Sequence, residues 1–306
     1  LTQSGTGNFD TQGLDITAAG LVVSGGTFNA DALAGAWDIG TAGLDIQASS
    51  TLTATSGTMY LAGDFTVDAA SGEFIHNSGL VTFDGAAEQT VTSASSTFNA
   101  ITVTNASADG VTFADAFTAA SLTNITASSK MTFSAGDTYT ITGAAGLDLD
   151  GQASGTEIEL LSDSPGIAFI FNVSGGAQTI QYVHVTDCEA SGNDITAGSS
   201  IDGGGTDAEG SSPQWVFGSV TRYWVGTSGG AWNDGANWSV SSGGSGGADY
   251  PEAGDTAVFD SSDTDNCTLT ANAAAAVIDI QSGYTGKLYA AGFDIAASST
   301  LDITDG

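Results

Sequence analysis

Basic residues are almost missing from this chain. Lys130, Arg222 and Lys287 stand against 35 acidic residues, giving a formal net charge of −32 over 306 residues. Nucleic acid is thereby excluded as a partner, because displacing counterions from phosphate takes clustered Lys and Arg. An anionic membrane surface is disfavoured on the same ground. No apolar run approaches the roughly 18 residues of a spanning helix. No basic-then-apolar signal peptide opens the chain, and Leu1 rather than Met is its first residue, which reads as a processed or excised piece of something longer. Proline is scarce as well: Pro165, Pro213 and Pro251 are the only three. Backbone N–H groups are therefore free to form ladders along nearly the whole length. Two cysteines, Cys188 and Cys267, make no disulfide framework and permit one bridge.

Helix signals are missing too. No stretch of a dozen residues combines a 3.6 period with caps; the best candidate, "ANAAAAVIDI" from Ala271, runs into β-branched residues. What is present is alternation. "LVVSGG", "TMYLAGDFTV", "EFIHNSGLVTFDG", "KMTFSAGDTYTIT" and "AQTIQYVHVTD" place β-branched and aromatic residues at every second position, bounded by Gly, Asn, Asp or Ser. Acidic chains poor in large residues are often disordered, but 41% hydrophobic residues in an alternating pattern exclude that here.

Short, evenly spaced strands fit a sandwich, a barrel or a solenoid. Self-similarity favours the solenoid. "GLDI" occurs at Gly13 and Gly43, "GLDL" at Gly146 and "GFDI" at Gly292, and residues 43–57 and 292–306 agree at ten of fifteen positions. The expected fold is an all-β, elongated parallel β-helix (β-solenoid), right-handed by crossover chirality, with a sandwich pair as the alternative. At roughly 20–25 residues per coil, some 13 coils would make a rod of about 60–65 Å. The last fifteen residues look like an internal coil, and so do the first. Set end to start, "STLDITDG–LTQSGTGNFDTQGLDI" reads through without a break, so tandem repetition or end-to-end stacking of copies is expected.

Two stretches carry a resemblance. Residues 79–126 ("GLVTFDGAAEQTVTSASS…") with residues 164–198 ("SPGIAFIFNVSGG…") resemble coils of giant bacterial extracellular β-solenoid surface and fibre proteins. Residues 222–260, with a W-x-D/N…N-W pair, a Gly/Ser-rich insert and "GDTAVFD", resemble the autotransporter and haemagglutinin-like modules that punctuate such proteins. The resemblance implies a parallel β-solenoid, export to the cell surface, adhesive or structural roles, and no enzyme activity.

Candidate sites follow from local chemistry. Trp224, Trp232 and Trp238, near Tyr223, Tyr250 and Phe259, would stack on sugar rings if their faces were exposed, and would fill a widened coil if they were not. Calcium is the most plausible cofactor. "DSSDTDN" gathers Asp260, Asp263 and Asp265 with Asn266, and "SIDGGGTDAEG" offers Asp202, Asp207 and Glu209, although both also read as solvated turns. His76 and His184 read as structural, and a chain with so few cations poorly serves lyase chemistry on acidic polysaccharides. Cys188 and Cys267 are three to four coils apart, which is about 15–19 Å along an axis and beyond disulfide reach; both are expected to be free and buried. Five N-x-S/T triplets begin at Asn105, Asn124, Asn172, Asn237 and Asn266. Thr-x-Thr pairs lack the regular sequence spacing of an ice-binding face.

The sequence is thus read as a solenoid block over residues 1–218 running into a Trp-marked block over residues 219–306. Its expected role is a structural repeat unit of an extracellular fibre or surface filament, partnered by copies of itself. The alternatives are an adhesin stalk that binds extracellular glycans and, last, a β-helix polysaccharide-processing enzyme.

Overall fold

A computed structural model describes residues 1–30, 34–207, 211–248, 250–252 and 254–304. The chain divides into two compact units, Leu1–Val216 and Phe217–Gly306. Both are all-β solenoids of parallel, stacked strands, with about 13 turns in total.

In the first unit the alternation read from the sequence becomes vertical columns. Trp37, Met59, Val81, Ile101, Leu122 and Leu147 lie above one another on successive coils, and all are buried. A second inward column runs Leu44, Phe65, Val91, Phe113, Phe133. Large rings fill the interior continuously: Phe113 stacks on Phe133 at 5.2 Å and Phe133 on Phe169 at 4.5 Å, while Tyr139 meets Phe133 edge-on at 4.9 Å. Aromatic pairs of this kind add about 0.5–1.5 kcal/mol each beyond the area they bury.

Threonine takes the opposite face. Thr102 and Thr123, in register with the covered Thr82, form one outward column, Thr90, Thr112 and Thr132 a second, and Thr97, Thr118 and Thr140 a third. A β-branched residue with a hydroxyl suits a strand whose other side faces water. Sequence spacing hides these columns because coil length varies. The coil that carries the chain from Val185 to its neighbour Asp202 is roughly half as long as the one from Tyr139 to its neighbour Phe171.

Buried polar side chains tie the corners. Gln89, fully buried, donates to the carbonyls of Leu61 and Gly63 and accepts from Gly85 N–H and Asn105 Nδ2. Asn124 and Ser129 bond each other in the same way. Asn105 and Asn124 are fully enclosed, so those two triplets cannot be glycosylated in the folded chain.

The second unit begins with a fold-back. Tyr223 and Trp224 pair antiparallel with Ser239 and Trp238, and the Gly/Ser-rich insert lengthens the first coil, which runs from Thr221 to its neighbour Thr256. Later coils are much shorter, as in Ala257 to Ile278 and Ile278 to Leu301. The segment that looked most helical is the strand Ala273–Ile280, with Ala273, Ala275 and Ile278 turned into the core. Parallel neighbours on both sides outweigh the helix propensity of alanine there.

Candidate functional site

The tryptophan block is core. Trp224, Trp232 and Trp238 are fully buried, packed edge-to-face at 5.2 and 5.0 Å around Trp238 and closed by Phe259 and Tyr284. Each indole N–H finds a carbonyl: Trp224 on Asp265, Trp232 on Pro251 and Trp238 on Trp232. Sugar stacking needs ring faces in water, so the expectation of a glycan platform at these residues is corrected. The antiparallel fold-back folds the rings over each other instead of presenting them. Asp234 caps the short turn Gly235–Asn237 through Ala236 N–H, as a turn residue would.

The acidic loops are likewise committed to the backbone. Asp260 accepts from Ser262 N–H and from the Ser262 hydroxyl. Burial alone would raise its pKa, but the hydrogen bonds from Ser262 and Ser242 outweigh it and hold the carboxyl below its ordinary value. Asp263 accepts from Asp265 N–H, and Asp202 from Gly204 N–H and the Thr206 hydroxyl. Asp207 accepts from the N–H groups of Ala190 and Trp215. Glu209 lies outside the described residues. Among the described residues no three His, Cys, Asp or Glu side chains gather where one metal ion would sit.

A pattern emerges that sequence reading missed. Among the described residues eight aspartates reach to backbone N–H groups distant in sequence: Asp15 to Ala36, Asp64 to Thr90, Asp115 to Ser93 and Ala94, Asp163 to Ala135, Asp187 to Gly166, Asp194 to Gln214, Asp207 to Ala190 and Asp255 to Val220. Such carboxylates act as braces between coils, because a charged acceptor makes a shorter and stronger bond than a neutral one. These eight of the 35 acidic side chains therefore help to hold the solenoid together.

Both cysteines are unpaired and buried, with burial pushing each thiol well above its ordinary pKa. The Nδ1 atom of His76 accepts from Ser78 N–H, closing a corner. On the outer face Lys130, Glu159 and His184 lie in register on successive coils. Glu159 and His184 line a shallow depression of about 190 Å³ with Ser128, Gly155 and Glu157, and the Glu157 carboxylate is held by Gly155 N–H.

The remaining feature is an uncovered coil. In residues 43–57 the phrase "GLDIQASSTL" is roofed by the next turn: Leu44 and Ile46 pair with Phe65 and Val67, and Leu52 with Phe74. Among the described residues its echo, in residues 292–304, has a neighbouring strand on one side only, Ala273–Ile280. Leu52 is 0% exposed and the matching Leu301 59%; Ile46 is 0% exposed and the matching Ile295 37%. In the first unit Leu1, Phe9 and Leu14 are exposed as well. No protein-family model, curated protein or solved structure matches this chain.

Proposed function

We propose that this chain is a structural repeat unit of an extracellular fibre or cell-surface filament, its open coils meeting like coils end to end, whether of copies of itself or of tandem repeats in one longer chain. The observation that carries the reading is the contrast between residues 43–57 and their echo from Gly292 onward: one phrase, buried where a further coil lies beside it and bare where none does. Covering a leucine or isoleucine stabilises by about 1.5–3 kcal/mol, so several bare side chains on one open coil favour another coil above them. Parallel ladders would then run on from unit to unit, and axial load would be carried by many backbone hydrogen bonds at once.

Acidity fits this role. Filaments bearing one sign of charge repel one another sideways, which opposes sheet-edge aggregation while leaving the apolar tips to join. Calcium enters this reading as a counter-ion shared between rows of carboxylates on neighbouring filaments. A place outside the cell accords with the Gly, Ser and Thr-rich composition and with the resemblance to giant surface proteins. Nothing in the geometry of Trp224, Trp232 and Trp238 favours the adhesin alternative, since their ring faces are enclosed.

Sedimentation velocity tests the proposal. The chain should form larger species as concentration and salt rise, and Leu301→Asp with Ile303→Asp should remain monomeric. Equal behaviour of the two proteins would overturn it.

A further inference from the structure

Residues 240–247, Val240 followed only by Ser and Gly, have the composition of a slack linker. The second unit holds them closed. Tyr223 and Trp224 pair antiparallel with Ser239 and Trp238, and Val225 N–H donates to the Asn237 carbonyl. One layer further out, Ala248 N–H donates to the Trp238 carbonyl and Gly247 N–H to that of Gly235. The insert also packs without slack: a Cβ on Gly246 would overlap the Ala236 carbonyl oxygen, and one on Gly244 the Ser239 hydroxyl. The Ser242 hydroxyl bonds the Asp260 carboxylate and ties the tip to a later coil.

This folded lip lies on one side of the strand Thr221–Trp224. On the other side that strand pairs in parallel with Thr256–Phe259 and so begins the ladder that runs on through Ala273–Ile280 and Ile295–Ile303. The place where a preceding coil would pair is thus taken by Trp238–Ser239, which is the first strand of the sheet. The same turn serves the other sheet of the unit, which starts at Gly230–Ala231: the Ala231 carbonyl takes Asn237 Nδ2 at 3.0 Å and the Trp232 carbonyl takes Trp238 Nε1 at 2.7 Å. Among the described residues no strand before Thr221 joins either sheet.

We propose that residues 235–248 are a cap that closes the start of the second solenoid, so that its coils need no coil before them and unfold as a body of their own. A cap in a stacked-coil fold covers the last apolar layer on one face and offers water a polar face on the other. The lip has both. Trp238, Ser239 and Ala248 are buried within it, while Ser241, Ser242 and Ser245 are exposed. It also leaves no bare sheet edge where a foreign strand could pair. The cap is independent of the stacking reading, because every contact that forms it lies within the second unit. It gives the Gly/Ser composition a steric cause: only small residues fit a chain folded back this tightly on itself.

The full chain carries its own reporters. Cys188 is buried in the first unit and Cys267 in the second. Pulsed alkylation in rising urea, read peptide by peptide by mass spectrometry, follows the two separately. Gly246→Val drives a side chain into the Ala236 carbonyl and should lower the urea midpoint for Cys267 by about 1 M while leaving that for Cys188 in place. Tyr139→Phe, in the first unit, should lower the midpoint for Cys188 and leave Cys267 in place. Ser245→Ala, exposed on the same insert, should move neither. If Gly246→Val keeps the second unit from folding, Cys267 reacts without urea while Cys188 stays protected, which supports the cap equally. Gly246→Val or Tyr139→Phe moving both cysteines together would overturn the proposal. So would Gly246→Val moving neither, or an equal loss from Ser245→Ala.

Discussion

The Asp115 carboxylate holds the backbone N–H of Ala94, one coil away, at 2.6 Å. Ala94 sits at φ 51°, and Ser95 beside it at φ 61°. L-residues enter that left-handed region at a cost of roughly 1–2 kcal/mol each, so the corner needs an anchor. Asp115 supplies it, also taking the N–H and the hydroxyl of Ser93 at 2.7 and 2.8 Å. Asp115→Ala should lower unfolding free energy by about 2–3 kcal/mol. Asp115→Asn, which keeps one acceptor oxygen, should fall between the two in denaturant titrations.

Tyr139 bridges two coils in the same spirit with a neutral group. Its hydroxyl donates to the Phe113 carbonyl and accepts from Ser134 N–H, both at 2.9 Å, inside the core. Tyr139→Phe keeps the ring and orphans both partners. A loss of about 1–3 kcal/mol is expected, read as a lower thermal midpoint with an unchanged far-ultraviolet spectrum.

Stability against pH should separate two aspartates. The carboxyl of Asp260 is held low, because hydrogen bonds from Ser262 and Ser242 outweigh its burial. Its contribution is complete above the unfolded value of about 3.9 and is lost as pH falls through the lower folded value. Asp255 is the reverse: burial raises its pKa, and the N–H groups of Val220 and Glu252 with the Arg222 charge offset this only in part. Its ionised form is less favoured in the folded chain than in the unfolded one, so its contribution improves as pH falls through the raised value. Asp260→Asn should therefore flatten the acid limb of the stability curve below about pH 4, and Asp255→Asn should alter the curve above it. Urea midpoints measured from strongly acidic to neutral pH would check both signs.

The tryptophan core makes a third distinction. Trp232→Ala opens a large cavity and should cost about 3–5 kcal/mol. Retention on a glycan array should be nil for both the parent chain and the variant. Retention by the parent that the variant loses would restore the adhesin.

The two thiols give a direct test of burial. Cys188 and Cys267 should resist alkylation in the native state at mildly alkaline pH and react in denaturant, because burial both hides the sulfur atoms and keeps them protonated.

The recurring phrases at Gly13, Gly43, Gly146 and Gly292, with proline scarce, made the solenoid legible in the sequence, while alternation at positions such as Met59 and Val81 marked only the strands that stack. The cysteines, read as free and buried, are so. The aspartate braces were not legible. A carboxylate that serves the residue two places on shows in the sequence as a turn, as at Asp202 and Asp263. One that serves a neighbouring coil does not, because the separation changes from brace to brace, from Asp207 and Ala190 to the much wider Asp163 and Ala135. The recurring phrase also said less than it seemed to. Gly13, Gly43 and Gly292 do share a positive φ, but the residues that follow do not share a conformation. After Gly43 the chain turns a corner at Ser49 (φ 61°), whereas Ile295–Ile303 is one continuous strand. The two stretches differ at five of their fifteen positions and in whether a further strand lies beside them.

Electron microscopy of the purified chain at high salt is the most direct test of end-to-end stacking. Thin filaments of uniform width, one solenoid across and lengthening with protein concentration, are the predicted result. Separate particles of a single size at every concentration and ionic strength would contradict it.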